Sequence, residues 1–196
     1  MLAVIMGKYT AIYKIDINAK KLEMLQKIET TTCPDPESVS NCLKWSHDNA
    51  GLVIGNEDRS IRLYKVTAPN DFKSPMQMTL EFPNAHSESI NCVYLSPSKR
   101  LLVSSGDDFR ANVFDLSTKQ KIISLTFRDK AYLNARGEKD DSNFSIKGCL
   151  ISNDGQFVHM LACKYRYKSF VVSYRITPLT ATEILFTPHA VLEVHE

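Results

Sequence analysis

The sequence predicts an all-β architecture in which four short antiparallel strands form a unit and the unit repeats. Three observations carry that expectation: a period of about fifty residues, turn-forming residues at a fixed place in each copy, and no stretch of sustained helical spacing. Ser40-Asn41-Cys42-Leu43-Lys44-Trp45-Ser46 recurs fifty residues later as Ile90-Asn91-Cys92-Val93-Tyr94-Leu95-Ser96. Ile61-Arg62-Leu63-Tyr64 recurs at the same offset as Ala111-Asn112-Val113-Phe114. A looser third copy follows through Ile146 to Ser152, Phe157 to Cys163 and Phe170 to Ile176. Four strands at this period describe one blade of a β-propeller.

The elements follow in order. Leu2 to Met6 and Ala11 to Ile15 read as two middle strands joined by Gly7-Lys8-Tyr9-Thr10, with Leu22 to Ile28 as an outer strand, so residues 1–28 form a partial blade. Residues 39–82, 86–127 and 144–186 read as complete blades, closed by outer strands at Met76–Phe82, Ile122–Phe127 and Glu183–Phe186. Val191 to Val194 read as the first strand of a further blade, 191–196. A ring takes about four blades or more, so the expectation is a partial propeller: about three blades plus edge fragments, cut from both sides.

Turn chemistry supports this division. Ser46 to Gly51, Ser96 to Arg100 and Ser152 to Gly155 fill the same slot between first and second strands. With only seven glycines in 196 residues, Asn, Asp and Ser must supply many turns. Period-two apolar positions have to face a neighbouring sheet, which places Cys42, Val53, Leu63, Cys92, Val103 and Val113 between blades.

Composition excludes several functions. Twenty-four basic against twenty-two acidic residues leave a net charge of +2, far from the basic balance of a nucleic-acid-binding domain. The five cysteines form no C-x-x-C pair, so neither a zinc site nor a disulfide framework is expected, and a reducing compartment is. No metalloprotease, nucleophile-elbow or phosphate-loop motif occurs, so no catalytic, cofactor-binding or metal-ligating residue is assigned. His159, between apolar neighbours, reads as a core histidine. The chain has no run of eighteen apolar residues that would span a membrane.

Ala85-His86, Asp108 in the following turn, and Phe114-Asp115 resemble the His, Asp and Trp-Asp positions of WD repeats. That resemblance implies a hydrogen-bonded structural network, with Ser104 or Ser105 as the hydroxyl. Phe114 has no indole N–H, so the network must be incomplete there. Asp58 and Tyr64 fill the corresponding places one repeat earlier, without an upstream His. Lys164, Tyr165, Arg166, Tyr167 and Lys168 interleave cations with aromatic rings and form a candidate contact loop. Arg128 to Asp141 is a long mixed-charge connection.

Trp45 to Gly55 with Ile61 to Val66, and Ala85 to Phe114 with Gly106-Asp107-Asp108-Phe109-Arg110, resemble the Sec-type exchange factor, or prolactin regulatory element-binding protein, family. The basic string Lys164 to Lys168 matches the irregular next blade of that family. The resemblance implies a propeller on the cytosolic face of the endoplasmic reticulum. Its protein partner would be a Sar-type small GTPase, whose GDP release begins coat protein complex II assembly. The family's Gly-rich exchange loop and membrane anchor have no counterpart in these residues and are expected upstream of Met1 and downstream of Glu196. The alternative is a generic WD-repeat scaffold for a protein complex without exchange activity. Transcriptional DNA binding is a weaker third reading that the charge opposes.

Overall fold

A computed structural model describes residues 1–30, 39–67, 74–98, 100–127, 144–164, 168–178, 180 and 183–194. They form four antiparallel sheets. Blade 1 holds β1 (Leu2–Met6), β2 (Tyr9–Asp16) and β3 (Lys21–Glu29). Blade 2 holds β4 (Ser40–Trp45), β5 (Gly51–Asn56), β6 (Ile61–Val66) and β7 (Met76–Phe82). Blade 3 holds β8 (Ile90–Leu95), β9 (Leu101–Gly106), β10 (Ala111–Asp115) and β11 (Gln120–Leu125). Blade 4 holds β12 (Ser145–Ile151), β13 (Phe157–Lys164), β14 (Lys168–Pro178) and β15 (Ile184–Val194). In every sheet the strands pair in sequence order, the meander of a propeller blade. The chain is thus an all-β, partial propeller of WD-repeat-like sheets.

Bulges set the register. In blades 2, 3 and 4 the first pair slips at Ser40/Cys42, Ile90/Cys92 and Ile146/Gly148. The last pair slips at Leu63/Tyr64, Val113/Phe114 and Ser173/Tyr174, while the middle pairs run without a shift. Blade 1 has a regular β1–β2 pair and a slip at Ile12/Tyr13 between β2 and β3. Its strands are therefore the second, third and fourth of a blade. A bulge increases local twist, and its repetition keeps successive sheets congruent.

The turns show the expected chemistry. Ser46, Ser96 and Ser152 each accept, through Oγ, the backbone N–H five residues on, at 2.8, 3.0 and 2.9 Å. Left-handed backbone falls on Lys20, Asn49, Arg59, Asn84, Phe109 and Lys119 as well as on Gly7 and Gly155. Lysine, arginine and phenylalanine at such positions were not expected from the turn residues alone.

Apolar clusters fill each blade boundary. Ile12 and Ile28 of blade 1 pack with Leu52, Ile54 and Tyr64 of blade 2. Val53 and Ile61 pack with Ile90, Val93 and Leu102 of blade 3. Val103 and Val113 pack with Ile146, Val158 and Met160 of blade 4, beside the rings of Phe127, Phe144 and Phe170. Those three rings lie 5.2–5.4 Å apart, centroid to centroid. Of the positions expected between blades, Val53, Val103 and Val113 are fully buried, and Cys42, Leu63 and Cys92 are half-buried at the rims of the clusters.

One expected boundary is corrected. Val191 to Val194 do not open another blade: they continue β15, with Val191 opposite Val172 and Val194 opposite Ser169. The sequence breaks there at Pro188, which lacks an N–H, but a bulge at Ser173/Tyr174 absorbs the break and pairing resumes.

Candidate functional site

The meander places the loops on two faces. The turns between the second and third strands and the connections joining blades emerge on one face; the first-to-second and third-to-fourth turns emerge on the other. Each face carries a cleft between blades 2 and 3.

On the first face His86 sits in the connection entering blade 3, with its side chain fully buried. Its Nε2 lies 2.8 Å from Ser104 Oγ and its Nδ1 lies 2.9 Å from Asp108 Oδ1. Asp108 also accepts the N–H groups of Ser87 and Arg110. Burial pushes its carboxyl up, but the His86 contact and those N–H groups outweigh it and hold it below the usual value. Asn112 reaches the same cluster: its Nδ2 donates to the Ala85 carbonyl at 2.7 Å, and its Oδ1 accepts from Ser124 Oγ at 2.6 Å. Gly106 makes room for the imidazole, since a Cβ there would stand 2.7 Å from His86 Nδ1.

Blade 2 builds the same clasp from other residues. Asp58 holds the turn through Ser60 and pairs with Arg62 at 3.1 Å. Arg62 donates to the Thr30 carbonyl at 2.5 Å and to Glu81 at 2.8 Å. Asn56 occupies the place of Gly106 and accepts from Ser40 Oγ at 2.8 Å. Arg62 and Asn56 were not singled out from sequence. The signal was present in the fifty-residue offset, which sets Arg62 against Asn112 and Asn56 against Gly106.

Phe114 and Tyr64 occupy equivalent buried positions. The Phe114 ring packs against that of Phe82, tilted by 42° with centroids 4.6 Å apart, and Tyr64 donates to the Glu29 carbonyl at 3.5 Å. Asp115 serves the opposite face. Its Oδ1 accepts from the Ser117 N–H at 2.7 Å and its Oδ2 pairs with Arg100 at 3.1 Å. Burial raises the Asp115 carboxyl, and the Ser117, Arg100 and Thr118 donors lower it by more, leaving it below the usual range. His159 Nδ1 lies 2.8 Å from Ser173 Oγ beside the Phe157 ring. In the candidate contact loop, Lys164 ends β13 opposite Lys168 at the start of β14. Tyr165, Arg166 and Tyr167 lie outside the described residues, as does 128–143.

The two clefts differ in character. The one beside His86, about 450 Å³, is polar and edged by Arg59, Arg110 and Lys121. The one on the Asp115 face, about 510 Å³, runs between Leu63 and Leu80 of blade 2 and Leu95 and Leu116 beside blade 3, with Asp48, Lys65, Arg100 and Lys119 also lining it. Among the described residues neither lysine makes an ion pair, and no group of three or more His, Cys, Asp or Glu is placed to hold a metal ion. No helix among them is long and apolar enough to cross a membrane.

The chain matches the WD40 family (WD domain, G-beta repeat) over residues 27–65 and 77–115. Each match starts on the outer strand of one blade and ends on the third strand of the next, the stagger that ties blades together. Comparison with curated proteins gives no match. Among solved structures the chain is similar to the β-propeller domain of Myceliophteria thermophila Cps50 (Swd1), at 12% identity and a TM-score of 0.59. That likeness covers 83% of this chain and 47% of the other, so the chain spans about half the length of that propeller. The chain therefore carries two stretches that match the WD40 repeat and shares the propeller fold with that structure.

Proposed function

We propose that this segment of a WD40 propeller is a protein-binding scaffold whose contact site is the cleft between blades 2 and 3 on the Asp115 face. The observation that carries this reading is an apolar trough, with Leu63, Leu80 and Leu116, whose lining also holds three cations, Lys65, Arg100 and Lys119, against one carboxylate, Asp48. Concave apolar sites of this size with few polar groups are where ligands bury most surface. Cations in such a site steer acidic partners and fix their register. The fitting occupant is a short protein segment with an apolar anchor beside carboxylates.

Panning a random peptide library on the chain tests this. Acidic, leucine- or phenylalanine-bearing peptides should be enriched, and should lose about tenfold or more in affinity on Lys65→Glu/Lys119→Glu, since a like charge facing a carboxylate costs over 1 kcal/mol. Enrichment indifferent to those changes and to Leu116→Arg places binding elsewhere and overturns the assignment.

A finer reading rests on the strings Trp45 to Val66 and Ala85 to Phe114 and their resemblance to the Sec-type exchange factors. In that reading the full protein works at the cytosolic face of the endoplasmic reticulum and favours the nucleotide-free form of a Sar-type GTPase by differential affinity. The 196 residues contain no Gly-rich exchange loop, so the chain alone should leave fluorescent-GDP release from such a GTPase unchanged. Clear acceleration by this chain would show that the exchange surface lies within these blades.

A further inference from the structure

The innermost strands of successive blades face one another, and the repeat offset tells which side chains meet. At the boundary between blades 2 and 3, Cys42 of β4 packs into the cluster containing Val93 of β8. Fifty residues after Cys42 stands Cys92; fifty-six after Val93, by the spacing of Ser96 and Ser152, stands Cys149. At the boundary between blades 3 and 4 the thiol of Cys92 therefore meets a second thiol where the previous boundary has a valine. The contacts are reciprocal. Cys92 Sγ lies 3.5 Å from the Cys149 carbonyl oxygen, and Cys149 Sγ lies 3.9 Å from that of Cys92. Cys92 is half-buried and Cys149 is buried.

We propose that Cys92 and Cys149 form a reactive thiol pair that closes into a disulfide between blades 3 and 4, with a small disulfide of the glutathione class as oxidant. The Cys92 thiolate attacks one sulfur of the small disulfide, forming a mixed disulfide and releasing one small thiolate. Cys149, losing its proton, then attacks Cys92 Sγ and expels the second. Two protein thiols are oxidised by two electrons, the small disulfide is reduced to two thiols, and the two protons end on those leaving groups.

The roles follow from the surroundings. The hydrogen bond from the Cys149 thiol, opposed by burial and helped by Lys44, brings Cys92 down to about 6, while burial and the neighbouring thiol hold Cys149 well above its ordinary value. The thiolate is the attacking species, and a lowered thiol with partial access is the reactive one. Cys42, which has no such donor, is pushed up to about 12 by burial and the charge of Cys92.

The test exposes the folded chain to oxidised glutathione, followed by alkylation, intact mass and peptide mapping. The chain should lose two hydrogens and give a peptide joining Cys92 to Cys149. A Cys33→Ser/Cys42→Ser/Cys163→Ser variant, keeping only the pair, should do the same. Cys149→Ser, whose hydroxyl can still donate to the Cys92 thiolate, should stop at the mixed disulfide with one glutathione on Cys92; if circular dichroism shows that variant unfolded, Cys92→Ser serves, and Cys149 in it should take up no glutathione. The linked chain should melt at a higher temperature, an increase that dithiothreitol reverses. Both thiols remaining alkylatable, a link to another cysteine, or a link between chains would overturn the proposal.

Discussion

Arg62 and Asn112 stand at the same place in successive blades and grip the same kind of atom, a backbone carbonyl of the segment leading into their own blade. Arg62 reaches the Thr30 oxygen at 2.5 Å, and Asn112 reaches the Ala85 oxygen at 2.7 Å. The fold keeps the anchor and changes the chemistry around it: Asp58 and Glu81 neutralise the guanidinium in blade 2, whereas His86, Asp108 and Ser124 complete a smaller network in blade 3.

Removing Arg62 leaves Asp58 and the Thr30 carbonyl without it in a poorly solvated place, with side chains only 4% and 12% exposed at Arg62 and Asp58. Arg62→Met should cost about 3–5 kcal/mol, the usual penalty for breaking a buried ion pair from one side. Urea denaturation checks this. The double variant Arg62→Met/Asp58→Asn should recover part of the loss, because the more deeply buried of the two carboxylates that pair with Arg62 is then neutral.

Gly106 is required by its neighbour rather than by its backbone. An added Cβ would stand 2.7 Å from His86 Nδ1 and 3.0 Å from the Ser89 carbonyl. Gly106→Ala should therefore destabilise by about 1–3 kcal/mol through overpacking. In a chain already carrying His86→Ala the same change should cost much less, and the double-mutant cycle measures the difference.

Acid should loosen blade 3 through Asp108. Its folded-state carboxyl lies below the ordinary value of 3.8. The stability it contributes is therefore present above that value and lost as pH falls through the lower, folded one. Asp108→Asn should flatten the decline in unfolding free energy between about pH 5 and pH 2, leaving the slope that belongs to Asp107, Asp115 and Asp154, which are lowered as well. Chemical denaturation across that range decides the matter.

Exposed apolar side chains on the two end blades should make the isolated chain associate. Met6, Ile17, Leu22 and Met24 on blade 1, and Val191, Leu192 and Val194 on blade 4, are 43–83% exposed. Apolar patches and unpaired strand edges recruit other chains. Light scattering should show oligomers whose size falls with Met24→Lys and Leu192→Lys. A sharply melting monomer would show that these side chains are covered in another way.

Repetition made the architecture legible. Strands with a fixed offset and a serine at each turn can pack only as equivalent units, because each sheet has two faces to bury and a neighbour of the same shape to bury them against. Asp108 and Phe114 fall by the offset on Asp58 and Tyr64, whereas His86 has no counterpart one repeat earlier and is placed by its resemblance to the His position of WD repeats. Long-range pairing could not be read this way. The continuation of β15 past Pro188 depends on which N–H groups β14 leaves unpaired, a property of two strands rather than of one. Asn112, Arg62 and the Cys92–Cys149 pair likewise gained meaning only when blade boundaries brought distant residues together. Sequence by itself determined the unit, its turns and its apolar faces, since these depend on local backbone preference and period-two patterning. Tertiary structure decided which polar side chains share a clasp and how closely the two thiols approach, since an offset pairs positions but does not set distances across a blade boundary.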